Sequence, residues 1–250
     1  MIDNHLRSSL AKQAHVWIFH VHSGISSSTL AKYKTILSSD ELCKYHNFRF
    51  DKDRYLFLVA HANLRLLLSR YATINPRDWE FERNEYDRPE IARSLKVENL
   101  RFNMSHCSGL VAYIVNEDID GGIDVERTDH TQADPMQIAQ HFFSPLEIHN
   151  LKGFDSNEAM RKRFFEYWTL KEAFIKANGL GFSMPIEQFS FHIHKNNSIQ
   201  INFSNDVLLD DPQTWQFLLR YPTASHILAV ALRRGYDSDF SIVVRNSEVR

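Results

Sequence analysis

Phe165-Glu166-Tyr167-Trp168-Thr169-Leu170-Lys171-Glu172-Ala173-Phe174-Ile175-Lys176 reads as a helix with two unlike faces. At about 100° per residue, Trp168, Glu172 and Lys176 share one face at i, i+4 and i+8, while Tyr167, Leu170 and Phe174 lie opposite. One account is a surface Glu–Lys pair beside a core indole. The other is a charged face that lines a site. The helical pattern runs from Arg161 to Ala177, and Asn178-Gly179-Leu180-Gly181 stops it, glycine being the residue that takes the left-handed cap most easily.

A second stretch bears on the choice. Gly121-Gly122-Ile123-Asp124-Val125-Glu126 alternates as a short strand. Ile123 and Val125 then share one side, and Asp124 and Glu126 point together to the other, within reach of one cation. Alone, this motif reads more readily as a solvated turn. Close carboxylates repel each other unless a metal, a base or a shared proton lies between them. With Glu172 as a third carboxylate, the set suits Mg²⁺, a hard cation that keeps waters and takes oxygen ligands.

Bulk properties bound the rest. The chain has 250 residues, 43% of them apolar, enough for one large domain or two small ones. A formal net charge of -2 argues against a general nucleic-acid binder. Two cysteines, Cys43 and Cys107, make neither a disulfide framework nor a zinc site. The stretch from Met1 to Gln13 is polar and lacks a signal-peptide core, and no apolar run approaches membrane-spanning length. These features predict a soluble, cytoplasmic protein.

Outward from the two stretches, the pattern predicts a strand over His15–His22, in which His20 and His22 share a face. A Ser/Gly loop follows over Ser23–Ser28, then a helix from Ser39, and a helix from Asp51 to Tyr71 decorated by Lys52, Arg54 and Arg65. Arg49 lies just ahead of it. These cations are either a solvated face or a phosphate-neutralising cluster. Trp79–Arg83 and Leu110–Val115 read as strands, and Asp87-Arg88-Pro89 as a rigid connection. Ser105 and His106 stand just before a turn, where both could face a ligand or simply stabilise a loop. Helices over Pro135–Phe143 and Ser144–Lys152 precede the central one, and strands over 189–194, 198–203, 215–221 and 226–233 follow it. His192 and His194 read as strand surface. The order strand, helices, strands occurs twice. It predicts an α+β fold of two similar halves, residues 1–118 and residues 119–250 with a C-terminal tail, joined near Asn116–Asp120. A ligand site in the crevice between such halves, a pseudo-dimer, would draw residues from both.

Phe102-Asn103-Met104-Ser105-His106, Gly122-Ile123-Asp124-Val125-Glu126 and Trp168-Thr169-Leu170-Lys171-Glu172-Ala173-Phe174-Ile175-Lys176, in this order and at these separations, resemble the 4′-phosphopantetheinyl transferases. Size and layout are similar to the larger, monomeric class typified by the enzyme that activates surfactin synthetase. The resemblance spans roughly residues 15–234. It implies transfer of phosphopantetheine from coenzyme A to a serine of an apo acyl, peptidyl or polyketide carrier protein, with release of adenosine 3′,5′-bisphosphate. It implies Asp124, Glu126 and Glu172 as ligands of Mg²⁺, with Mn²⁺ the alternative cation. By the same resemblance Glu172 takes the serine proton, Lys176 contacts the diphosphate and the leaving phosphate, and Lys171 lies near the diphosphate. Ser105 and His106 correspond to coenzyme A contacts, and Arg49 and Arg54 to a basic stretch for the nucleotide phosphate. Arg88 stands where the family has lysine, Asp87-Arg88-Pro89 replacing Gly-Lys-Pro. Cys107 and Leu110 also depart from the pattern. A non-catalytic carrier-protein binder would lack one of Asp124, Glu126, Glu172 or Lys176, and none is missing. A Mg²⁺-dependent phosphohydrolase is the other alternative. No Walker loop, Gly-x-Gly-x-x-Gly or Gly-x-Ser-x-Gly is present.

Overall fold

The computed structural model describes residues 4–21, 24–129, 134–179, 181, 184–204, 210–236 and 239–248. The chain divides into two compact units. The first comprises Met1–Arg83, Pro89–Asp118 and Ser241–Arg250, the second Asn84–Arg88 and Ile119–Phe240. His22 and Ser23 of the first predicted strand and loop, and Leu180 of the helix stop, lie outside the described residues.

The first unit begins with helix α1 (Asn4–Ser9) and strand β1 (Gln13–His20), followed by helices α2 (Ser27–Ile36), α3 (Ser39–Asn47) and α4 (Asp51–Leu68). Strands β2 (Phe81–Arg83), β3 (Pro89–Ile91), β4 (Leu100–Cys107) and β5 (Leu110–Glu117) come next, and β11 (Ser241–Glu248) closes the chain. Its main sheet has the order β11-β1-β5-β4, with β11 parallel to β1 and the other pairs antiparallel. One face of α4 (Ala60, Leu64, Leu67, Leu68) packs with Trp17, Phe19, Val111, Tyr113 and Phe102 from the strands. The Tyr113 hydroxyl donates to the Ala60 carbonyl oxygen at 2.6 Å, so the buried phenol has a partner.

The second unit runs from β6 (Gly121–Arg127) through helices α5 (Pro135–Phe142), α6 (Pro145–Lys152) and α7 (Asn157–Asn178) to β7 (Phe189–Ile193), β8 (Ile199–Phe203), β9 (Trp215–Thr223) and β10 (His226–Arg233). The sheet order is β6-β10-β9, all antiparallel, and β7 and β8 form a separate hairpin. Helix α7 packs on β6 and β10. Tyr167, Leu170 and Phe174 are buried in its core, as the helical period predicts. Gly179, at φ 69°, ends the helix and donates its N–H to the Ile175 carbonyl oxygen. Each unit thus sets a long helix against an antiparallel-rich sheet, and the α+β class is the one expected.

Four local expectations are corrected. Serines that read as a loop start a helix: Ser26 caps α2 by accepting from the Thr29 N–H. The fourth helix stops at Leu68, not Tyr71. Residues 100–107, read only as the lead-in to a turn, form a full strand that ends just before the turn at Ser108 and Gly109. The C-terminal segment, placed with the second half, returns to the first unit, because β1 has a free edge that eight residues of β11 fill in register from Gln13↔Ser241 to His20↔Glu248.

Candidate functional site

The site of interest is built in the second unit, where β6 lies along α7. Contact is close because of Gly122. A Cβ at that position would overlap the carbonyl oxygen of Ala173 and the amide nitrogen of Ala177, so only glycine lets strand and helix backbones meet. Strand alternation then puts Asp124 and Glu126 on the face that Gly122 presents to the helix, opposite to the buried Ile123 and Val125.

Asp124 is buried, at 3% exposure, and its Oδ1 takes an ion pair from Lys176 Nζ at 2.6 Å. Glu126 Oε1 accepts from the indole N–H of Trp168 at 3.2 Å. Trp168 is itself held edge-on by Phe142 and stacked on Phe164, so the donor is fixed in place. Burial, then the Asp124 charge and more weakly that of Glu172, push the Glu126 carboxyl up to about 7; the Trp168 hydrogen bond and Lys176 oppose this. Burial and the Asp124 charge also raise Glu172, against the pull of Lys176. The predicted shared face of Trp168, Glu172 and Lys176 therefore does meet the carboxylate strand.

The donor chemistry of Asp124, Glu126 and Glu172 fits a hard divalent cation: three oxygen-bearing groups whose mutual repulsion a positive charge relieves. Among the described residues no group of three or more His, Cys, Asp or Glu is disposed to hold a metal ion, and Asp124 pairs with the Lys176 ammonium.

Other candidates lie elsewhere. Lys171, expected near a diphosphate, is fully buried on another side of α7. Its ammonium pairs with Glu147 at 2.9 Å and donates to the carbonyl oxygens of Ile186 (2.9 Å) and Phe189 (2.6 Å). An ammonium has three protons, and these three acceptors match them, so the structure gives Lys171 an interior task. Burial lowers its pKa and Glu147 opposes the shift. Glu147 also completes the capping box of α6 with Ser144 and accepts from the Phe191 N–H at 3.0 Å. The Ser144–Glu147 motif signals the cap in sequence, but nothing local signals that the same carboxylate turns inward.

Arg88 donates from Nη1 to the Ala177 carbonyl oxygen (2.7 Å) and from Nη2 to that of Gly121 (3.1 Å). In the first unit, Ser105 and His106 are adjacent residues of β4 and so face opposite ways: Ser105 is buried and His106 exposed. They do not turn to one ligand side by side, as a pre-turn position suggested. Arg54 donates to Asp51 Oδ1 and to the Phe48 carbonyl oxygen at the start of α4, while Arg49 is exposed with its guanidinium over the Phe50 ring. Arg65, expected on a solvated face or in a phosphate-neutralising cluster, is buried and paired with Glu41 at 2.8 Å.

Fold and site together define an α+β protein in which a long helix and a strand bring acidic and basic side chains together. Residues 121–231 match the model of the 4′-phosphopantetheinyl transferase superfamily, and residues 25–117 match the 4′-phosphopantetheinyl transferase N-terminal model. The chain belongs to this family, and within it to the larger class that includes Sfp. It is 29% identical over 223 residues to 4′-phosphopantetheinyl transferase HetI of Nostoc sp., covering 89% of each chain. It is 28% identical over 177 residues to 4′-phosphopantetheinyl transferase Sfp of Bacillus subtilis, covering 71% of this chain and 75% of that one. An L-aminoadipate-semialdehyde dehydrogenase-phosphopantetheinyl transferase of Pongo abelii is 24% identical over 208 residues, covering 79% of this chain and 67% of that one. The protein is thus a transferase of the phosphopantetheine group to carrier proteins. Among the described residues no helix is long and apolar enough to cross a membrane.

Proposed function

We propose that the protein moves 4′-phosphopantetheine from coenzyme A to the serine hydroxyl of an apo acyl, peptidyl or polyketide carrier, in a Mg²⁺-dependent reaction that releases adenosine 3′,5′-bisphosphate. The observation that carries this reading is the cluster of Asp124, Glu126 and Glu172 around Lys176 on the β6–α7 contact. Asp124, Glu126 and Glu172 would hold the cation. When bound, it supplies charge neutralisation at the diphosphate.

The chain's own residues do the rest. Glu172, on the helix face that meets Asp124, accepts the serine proton as the serine oxygen bonds to phosphorus. The bond from that phosphorus to the bridging oxygen breaks, and the oxygen leaves on adenosine 3′,5′-bisphosphate. Lys176, released from Asp124, places its ammonium against the charge that grows there. The indole of Trp168 holds Glu126 through its N–H. The assignments of Ser105, His106, Arg49 and Arg54 to coenzyme A rest on their positions in the sequence motifs. With this reading go the expectations of a monomeric, cytoplasmic enzyme.

The test is the intact mass of an apo carrier after incubation with the protein, coenzyme A and Mg²⁺, with EDTA as the control. The expected result is a metal-dependent gain of one phosphopantetheine on the carrier serine. No gain on an acyl, a peptidyl and a polyketide carrier would overturn the reading.

A further inference from the structure

Arg88 stands at a position where the sequence resemblance calls for a lysine that meets coenzyme A, yet its guanidinium is engaged with the backbone. The loop Asn84–Arg88 is tightly folded. Asn84 N–H donates to the Arg88 carbonyl oxygen, and Asp87 N–H to that of Asn84, each at 3.0 Å. Asn84 Oδ1 accepts from the N–H groups of Tyr86 (2.9 Å) and Arg88 (3.0 Å). Asp87 takes the left-handed conformation at φ 69° to close the turn. From this loop, Asn84 Nδ2 donates to the Gly179 carbonyl oxygen at 3.3 Å, and Arg88 Cδ lies against Gly179, 3.3 Å from where a Cβ would stand.

The fork of Arg88 spans two elements. Nη1 bonds the carbonyl oxygen of Ala177, in the last turn of α7, where helix carbonyls lack intrahelical partners and a cation meets the negative end of the dipole. Nη2 bonds the carbonyl oxygen of Gly121, at the first residue of β6. Ala177 follows Lys176 directly, and Gly121 is three residues before Asp124. An ammonium lacks the planar fork that reaches both carbonyls in one geometry.

We propose that Arg88 is a positioning residue: a clamp that fixes the end of the Glu172/Lys176 helix against the start of the Asp124/Glu126 strand, in place of a phosphate contact. This rests on the transfer reaction proposed above for its kinetic readout. The experiment compares the full-length protein with Arg88→Gln and Arg88→Lys, using coenzyme A and 3′-dephospho-coenzyme A as donors and an apo carrier as acceptor. A clamp predicts that kcat falls by about tenfold or more in Arg88→Gln, with the KM for coenzyme A within about twofold of its starting value. The fold loss is the same with the dephosphorylated donor, and Arg88→Lys falls between the two. Hydrogen–deuterium exchange over residues 172–179 becomes faster in both variants, a readout independent of turnover, so failure of the clamp and failure of the transfer reading are distinguishable. A rise in KM with kcat preserved, or a loss that vanishes with the dephosphorylated donor, would make Arg88 a phosphate contact and overturn the clamp. Unchanged kinetics and exchange in Arg88→Lys overturn it as well, and that variant keeps the test open if Arg88→Gln does not fold.

Discussion

Two buried carboxylates in this molecule, Glu41 and Glu126, are shifted in opposite directions. In the first unit, burial works to raise Glu41, but donors outweigh it. His61 Nδ1 (2.9 Å), the Ser38 N–H (2.9 Å) and the Arg65 guanidinium (2.8 Å) all converge on the one carboxylate and bring it down to about 2. In the second unit, Asp124, Glu126 and Glu172 surround Lys176, whose ammonium is directed at Asp124. Burial and the neighbouring negative charges push Glu126 up to about 7. The Glu147–Lys171 pair, one residue from Glu172 along the chain, is likewise buried, and its carboxylate is matched by donors from Lys171, Ser144 and Phe191. A balanced cluster stabilises the fold. An unbalanced one leaves carboxylates with raised affinity for protons, the kind of perturbation that clusters at functional sites.

The contrast can be broken experimentally. The largest effect is expected for Glu172→Gln, which should reduce carrier modification by about a thousandfold or more while circular dichroism and melting stay near those of the unchanged protein. Near-normal turnover in a folded variant would falsify its role as proton acceptor. Next comes Arg65→Met. It leaves Glu41 buried without its guanidinium and removes the donor to the carbonyl oxygens of Pro76 and Trp79. Breaking a buried pair in this way should cost about 3–5 kcal/mol in chemical denaturation. A loss under about 1 kcal/mol would mean the cluster is not balanced by Arg65.

The smallest effect sharpens the comparison by its sign. The Glu126 pKa is raised by folding, from 4.5 to about 7, so its contribution to stability is full below about 4.5 and is lost as pH rises through about 7. Metal-free protein should therefore melt lower at pH 8 than at pH 5 through this group. Glu126→Gln should flatten that dependence and raise the melting temperature at pH 8, by roughly 2–4 °C per kcal/mol of relieved strain. An unaltered pH profile in the variant would show that the repulsion is not borne by Glu126.

Much of the candidate site was readable before any coordinates. Trp168, Glu172 and Lys176 on one helical face, and Asp124 beside Glu126 on one strand face, follow from local periods that the structure reproduces. Elements with weak or misleading local signals were not readable. The helix α2 hides behind serines that also favour loops, and β11 is a strand only because β1 offers it an edge. Lys171 reads as a diphosphate contact and Arg65 as a solvated or phosphate-facing cation, and both are buried instead, which lysine and arginine rarely are. Their burial depends on Glu147 and Glu41, which come from other helices and carry no mark of the pairing in the chain.

The sequence by itself determined which side chains share a face of α7 and of β6, because 3.6-residue and two-residue periods are set by neighbouring backbone angles. Only the tertiary structure decided how those faces are used. Lys171 and Glu172 are adjacent, yet one closes an interior ion pair and the other feels the charge of Asp124. The rotation of α7 about its axis makes that distinction. That rotation is set by contacts distant in the chain: the bare backbone of Gly122 against Ala173 and Ala177, the inward carboxylate of Glu147, and the fork of Arg88 at the helix end.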